Sequence, residues 1–454
     1  MPCAARTEPA GAKLAWQTQE AAQRRHLFRW GSRIIFDLVL RNAILPDRGP
    51  DPIDIGVIEG TIAAIGPQLG AASRNEDAQS RLVLPGFVDS HVHLDKSCIL
   101  DRCAAEGTLG EAIAEVRRLK RDFTEADVYA RAEATLVKAI LQGTMRIRTH
   151  VEIDPRIGLR SFRALQRLRR DYAWAVDLEL CVFPQEGLLN DPGAEELLIE
   201  ACEAGADLIG GCPYTDSDPD AHVDRIFAIA ARFDLDIDFH LDFDLDPRWM
   251  HLHAVIAATE RTGWGGRVAV GHVTKLSALP PDALTAIGNR LAAAGIAVTV
   301  LPATDLFLMG RGHDHNVPRG VAPAHRLAEL GVTCSIATNN VLNPFTPFGD
   351  GSLNRMANLY ANVAQLGRQA QMLCCLDMVT ASAARLMRCN DYGIDIGKAA
   401  DFVVMDATDP AFAVAEIAQP LMGFKRGVQT FEREAARLVR PSRGVEVLPE
   451  RRAH

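Results

Sequence analysis

Between residues 82 and 340 the chain repeats one pattern: a short apolar run, a polar residue near its end, then a longer stretch with apolar positions at helical spacing. The apolar runs cover 82–94, 144–152, 178–185, 206–214, 236–242, 267–273, 296–302 and 332–340. The intervening stretches are amphipathic; Val128, Ala132, Leu136 and Ile140 recur every fourth residue along one helical face. Pro192, just after Asp191, reads as the first turn of another helix. Strands alternating with helices predict parallel βα units, and eight such units is the number that closes a (β/α)8 TIM barrel, an α/β fold.

The flanks have a different period. Residues 37–40, 53–57 and 61–66 are short apolar runs punctuated by turn residues, the signature of a small antiparallel sheet, and 397–406 has the same character. The expected organisation is an N-terminal extension (1–35), a terminal β domain from 36–82 and 397–454, and a barrel domain (83–396). The extension clusters Arg24, Arg25 and Arg29 with few acids; it reads as a ragged or disordered terminus rather than a targeting peptide or an overlong translation start, and carries no fold argument.

Composition narrows the partners. With 454 residues, 48% of them apolar, the chain has material for a large core, and a net charge of -9 lacks the basic excess that phosphate neutralisation requires. The basic runs 117–121 and 167–170 read as solvated helix faces. Ten cysteines without paired spacing fit reduced thiols in the cytoplasm. No uninterrupted apolar run is long enough to span a membrane. The expected partner is therefore a small molecule, with neither nucleic acid nor membrane, and assembly into a homo-oligomer is left open.

Candidate chemistry collects at the strand ends, which form the catalytic face of a barrel. His91 and His93 lie two apart at the end of the first run, so an extended backbone turns both imidazoles to the same side, toward one ion. Asp95 follows as a hydrogen-bond partner for a buried imidazole. His150, Gln185, His240, His272 and Asn339 close the second, third, fifth, sixth and eighth runs. A second His-x-His, His313 and His315, sits in a Gly-rich turn after the seventh run and reads as an exposed loop.

The stretch Pro85-Gly86-Phe87-Val88-Asp89-Ser90-His91-Val92-His93-Leu94-Asp95-Lys96 resembles the first metal-binding strand of the amidohydrolase superfamily, and its continuation resembles the cytosine deaminase and N-isopropylammelide hydrolase branch. Similarity recurs at spaced positions from about Asp37 to about Val404. The resemblance implies that both terminal pieces close into one β-sandwich beside the barrel. It also implies one divalent metal, Zn2+ or Fe2+, on His91, His93 and His240, with His272 over the site polarising, relaying a proton or ligating. Gln185, in Val182-Phe183-Pro184-Gln185-Glu186-Gly187, matches the segment that offers a side-chain amide to a substrate ring, whose donor and acceptor suit a cyclic ureide or amidine. His150 is expected to touch substrate or to support the site. The loop Thr346-Pro347-Phe348-Gly349-Asp350 resembles the Pro-Phe-Gly loop of triazine hydrolases, so Phe345 or Phe348 is expected to stack on a flat ring or to pack the last helix.

Two positions depart from that pattern. The proton-moving Glu three residues beyond the fifth-strand histidine is Phe243 here, and the eighth-strand Asp is Asn339, which cannot take a proton. Asp242, on the inward face of His240 if its strand continues, and Asp244 are the candidate substitutes. The expected function is metal-dependent hydrolysis of a C–N bond, by deamination or by loss of an amide or N-substituent, in a small nitrogen-rich, cyclic compound. The alternative is a catalytically reduced relative that binds a ligand or metal without efficient turnover.

Overall fold

The computed structural model describes residues 35–104 and 107–439. The 1–35 extension, apart from its last residue, and the end of the 397–454 piece lie outside the described residues. The chain opens with four strands, β1 (Phe36–Ala43), β2 (Ile53–Ile58), β3 (Thr61–Gly66) and β4 (Ala72–Asp77), in the order β3-β2-β1-β4. Next comes β5 (Val83–Pro85), followed by eight barrel strands: β6 (Phe87–Val92), β7 (Thr144–Glu152), β8 (Asp177–Phe183), β9 (Leu208–Gly211), β10 (Asp236–Leu241), β11 (Val268–His272), β12 (Ile296–Val300) and β13 (Cys334–Ile336). The chain ends in β14 (Phe402–Met405), β15 (Pro420–Lys425) and β16 (Val428–Glu432), which with β5 form a sheet ordered β16-β15-β14-β5.

The barrel strands lie in chain order and every neighbouring pair is parallel. The ends of the sheet meet at the C-terminal rim. Asn339 N–H donates to the His91 carbonyl and His93 N–H to the Asn339 carbonyl, both at 2.8 Å, while Ser90 and Ser335 hydroxyls meet at 2.7 Å. A barrel with its helices outside is what the alternating pattern predicts. Val128, Ala132, Leu136 and Ile140 indeed form the buried stripe of helix Glu125–Leu141, started by the Thr124 hydroxyl accepting from Asp127 N–H at 3.1 Å.

The two terminal sheets share one apolar core, in which Leu40, Ile55 and Val57 from one meet Val83, Phe402 and Phe424 from the other. This core is distinct from the barrel core, so the chain ends build a small sandwich beside the barrel.

Several expected boundaries move, each for a physical reason. The first run is two strands: Val83 and Leu84 pair with β14, and the chain crosses into the barrel at Gly86, where a Cβ would lie 2.3 Å from the Met145 sulfur. The fourth and eighth strands are shorter than 206–214 and 332–340, covering Leu208–Gly211 and Cys334–Ile336. Pro192 does not begin a helix; Gly193 takes φ 94 and the helix is Ala194–Glu203. The run 117–121 is not uniformly solvated, because Lys120 is almost fully buried. Among the described residues no helix is long and apolar enough to cross a membrane.

Candidate active site

The C-terminal ends of the barrel strands gather five histidines. His91 and His93 come from β6 and the turn behind it, His150 from β7, His240 from β10 and His272 from the last residue of β11; all are buried. The Nε2 atoms of His91 and His93 lie 3.1 and 3.0 Å from Nε2 of His240. His91, His240 and His272 also place nitrogens within 4.8 Å of one another. Backbone economy makes this possible: a Cβ at Gly271 would come within 3.0 Å of the His91 ring.

This convergence carries a chemical constraint. A neutral imidazole has one N–H and one lone pair, so Nε2 of His240 can satisfy at most one of the two facing nitrogens. The Nδ1 atoms of His91, His93 and His240 are buried without a hydrogen-bond partner. Burial, reinforced by the neighbouring imidazoles and, at His93 and His240, by Lys96, pushes all three histidines well below their ordinary pKa and keeps them neutral. Three neutral imidazoles aimed at one point are the donor set of a divalent cation, which accepts every lone pair at once. Behind the rings stand carboxylates: Asp238 Oδ1 is 4.0 Å from His91 Nδ1, and Asp95 Oδ1 is 4.0 Å from His93 Nδ1. Asp238 is held by Arg148 at 2.9 Å and lies 3.6 Å from His150 Nε2, so His150 sits on the inner side of the cluster, stacked on His91 at 3.7 Å.

His272 is tied differently. Its Nδ1 lies 2.7 Å from Asp305 Oδ1, which fixes the Nδ1–H tautomer and leaves the Nε2 lone pair facing the amide nitrogen of Asn339 at 3.5 Å. Burial pushes the Asp305 carboxyl up, and the contact with His272 opposes that rise. Asp305 lies on helix Pro302–Leu308 after β12, and sequence reasoning missed it. Asn339 sits in a left-handed turn (φ 61) with its side-chain oxygen buried and without a partner. Phe243 packs on the His272 ring at 3.8 Å, setting apolar surface where the resembled pattern has a Glu.

The two aspartate substitutes are not turned to this cluster. β10 ends at Leu241 and Asp242 turns away with φ 48, so it does not share the inward face of His240. Its carboxylate instead accepts from His251 and Leu252 N–H at 2.9 and 3.1 Å, at the start of helix Leu252–Thr262. Asp244 is exposed and pairs with Lys275 at 3.1 Å.

On the β7–β8 side lies a second constellation. Gln185 is buried; its Oε1 accepts from Lys96 Nζ at 3.2 Å and its Nε2 donates to Cys212 Sγ at 3.5 Å. The Lys96 ammonium also meets Glu152 Oε1 at 2.7 Å and lies 4.4 Å from the centre of the Phe345 ring. Phe345 is buried, whereas Phe348 is 60% exposed and packs edge-on against Phe307, away from the buried pocket wall. His313 and His315 are exposed, as the Gly-rich turn suggests. The place of Lys96 between Gln185 and Phe345 depends on packing that sequence spacing does not show.

A surface cleft lies at the opposite end of the barrel, lined by Arg148, Asp236, Arg267 and Arg385 among others. Those arginines already have carboxylate partners in Asp238, Asp236 and Asp377.

A barrel with neutral imidazoles converging at its C-terminal rim and a histidine–carboxylate pair beside them defines a class: hydrolases built around a divalent metal. Comparison with known proteins places the chain within it. Residues 129–431 match the model of the amidohydrolase family, and the chain belongs to that family, whose enzymes act on C–N bonds. It is 32% identical over 371 residues to a pterin deaminase of Rhizobium rhizogenes, covering 78% of this chain and 82% of that protein. It is 26% identical over 404 residues to the N-isopropylammelide isopropyl amidohydrolase of Pseudomonas sp. strain ADP, covering 86% and 96%. The crystal structure of 5-methylcytosine deaminase from Klebsiella pneumoniae liganded with 5-fluorocytosine superposes with a TM-score of 0.84 at 28% identity, covering 89% of this chain and 99% of that one.

Proposed function

We propose that this protein hydrolyses a C–N bond in or on a small, flat, nitrogen-rich ring, using one divalent ion, Zn2+ or Fe2+, held by His91, His93 and His240. The observation that carries the reading is the convergence of three neutral imidazole nitrogens, 3.0 and 3.1 Å apart, beside the His272–Asp305 pair. An ion bound there supplies Lewis acidity and makes water nucleophilic near neutral pH. The side chains do the rest. Gln185 and Phe345, with Lys96 between them, form the wall that receives the ring, the amide pairing with its donor and acceptor atoms. Asn339 offers a neutral oxygen and cannot move a proton. That task falls to His272, whose Nε2 lone pair takes the proton and returns it to the leaving nitrogen, with Asp305 holding the imidazolium in place. His150 supports the cluster from the inner side. Asp242 and Asp244, held by backbone N–H groups and by Lys275, are turned away from the cluster and take no part in this reading. The unpaired spacing of the cysteines supports a cytoplasmic location.

The intact His272–Asp305 pair favours turnover over a ligand-binding relative without activity. Phe243 and Asn339 set it apart from cytosine deamination. The test is a screen of metal-loaded protein on pterin, 5-methylcytosine, cytosine and N-isopropylammelide, following release of ammonia or amine. The expected result is little cytosine turnover, with activity on another C–N substrate that falls at least about 100-fold in His272→Asn at unchanged metal content, within the usual range for losing a general acid–base. Efficient cytosine turnover, or full activity in His272→Asn, would contradict it.

A further inference from the structure

Lys120 is a buried cation on the first βα connection, in the 3-10 turn Lys120–Asp122 that follows helix Leu109–Leu119. Its ammonium lies 2.8 Å from Glu152 Oε2, 2.6 Å from Glu186 Oε1 and in direct contact with Asp154. These three carboxylates come from the end of β7 and the turns after β7 and β8, and their oxygens lie within 4.8 Å of one another. Arg156 completes the cage, 2.8 Å from Glu186 and 3.3 Å from Asp154. Burial alone would raise Glu152, but Lys120 and Lys96 bring it down to about 2, so it stays a carboxylate.

Glu152 is shared. One oxygen binds Lys120 and the other binds Lys96, at 2.8 and 2.7 Å, and Lys96 in turn donates to Gln185 at 3.2 Å. Without the Lys120 ammonium, the three carboxylates would face Lys96, Arg156, which is also engaged by Asp191 at 2.6 Å, and the exposed Arg117, 4.0 Å from Glu186. Lys96 is the nearest remaining ammonium, and the two oxygens of one carboxylate are close enough for it to move from one to the other. The uncompensated charge would draw it toward the cage and away from Gln185.

We propose that Lys120 is a positioning residue: by neutralising the cage it holds Lys96 on Gln185, and so sets the amide that the proposed function turns to the substrate. The inference rests on that reading of Gln185, yet its test needs no substrate. Crystal structures of the metal-loaded protein and of Lys120→Ala are compared, without additive and soaked in methylammonium or tetramethylammonium chloride, together with their thermal midpoints. The expected result is that the Lys96–Gln185 hydrogen bond is lost in Lys120→Ala. Methylammonium, which fits an ammonium-sized site, restores both the bond and the midpoint; tetramethylammonium restores neither. If Lys120→Ala does not fold, Lys120→Ala/Glu186→Gln, with one charge fewer in the cage, is compared in the same way. A Lys96–Gln185 bond that persists without added cation, or equal rescue by both salts, would overturn the proposal. Unchanged ligand binding in Gln185→Ala would instead remove Gln185 from the pocket and leave the coupling of Lys120 to Lys96 standing.

Discussion

Two polar clusters lie side by side at the barrel mouth and are finished in opposite ways. Around Lys120 every charge has an opposite within contact: Lys96 and Lys120 on Glu152, Lys120 and Arg156 on Glu186 and Asp154. Around His240 like groups face one another instead: the Nε2 atoms of His91 and His93 converge on Nε2 of His240 at 3.1 and 3.0 Å, and one neutral imidazole nitrogen cannot satisfy both. Leaving a buried polar group unpaired costs roughly 1–3 kcal/mol each, so a fold keeps such a group only where something else satisfies it. The contrast separates a cluster that holds its neighbours in place from one built to receive a ligand. Lys96 and Gln185 stand between the two.

The strongest way to break this comparison is to open the satisfied cluster. Lys120→Met leaves buried carboxylates without their cation, and breaking such a pair from one side costs about 3–5 kcal/mol. Chemical denaturation should show a loss of that size with metal content unchanged in the protein that remains folded. A loss below about 1 kcal/mol would mean that the cage is open to water, and the distinction between the clusters would fall.

At the junction the expected effect is smaller. Gln185→Ala removes a buried partner of the ring and should weaken a bound competitive analogue by about 1–3 kcal/mol while the protein keeps its metal. Calorimetry on whichever compound the activity screen identifies reads this directly.

The smallest effect sharpens the picture of the rim beside Gln185. Asp216 accepts from the N–H groups of Leu188, Leu189 and Asn190 and lies 2.6 Å from His222 Nδ1. Burial works against the charge, but these bonds, led by His222, lower its carboxyl to about 2. A carboxyl depressed in the folded state contributes stability that is present above its unfolded value, near 4, and is lost as pH falls toward 2. Asp216→Asn should therefore narrow the stability gap to wild type between pH 4 and pH 2, from up to about 2 kcal/mol to near zero. A pH-independent gap would assign the role to packing.

Much of this was legible in the chain. Period-two spacing puts His91 and His93 on one side, and the ends of apolar runs locate His150, Gln185, His240 and His272. What was not legible depends on backbone turns and long-range packing. Asp242 looked inward because a continued strand would have pointed it there, but the strand stops one residue earlier and the left-handed turn redirects the carboxylate to the helix beginning at Leu252. Asp305 is 33 residues from His272 and meets it through the loop and helix behind β12, a contact that no local spacing encodes. Lys120 sits in a run of basic residues resembling a solvated face. Only the carboxylates arriving from β7 and β8 make its burial tolerable.

The central claim is that the converging histidines His91, His93 and His240 form the metal site of an amidohydrolase. Elemental analysis of protein purified without chelator tests it most directly, comparing wild type with His91→Ala/His240→Ala. The account predicts about one divalent ion per wild-type chain, as expected of a three-ligand open site, and loss of that ion in the double variant with the fold retained by circular dichroism. Wild-type protein carrying no more metal than the double variant, after reconstitution with Zn2+ or Fe2+, would contradict it.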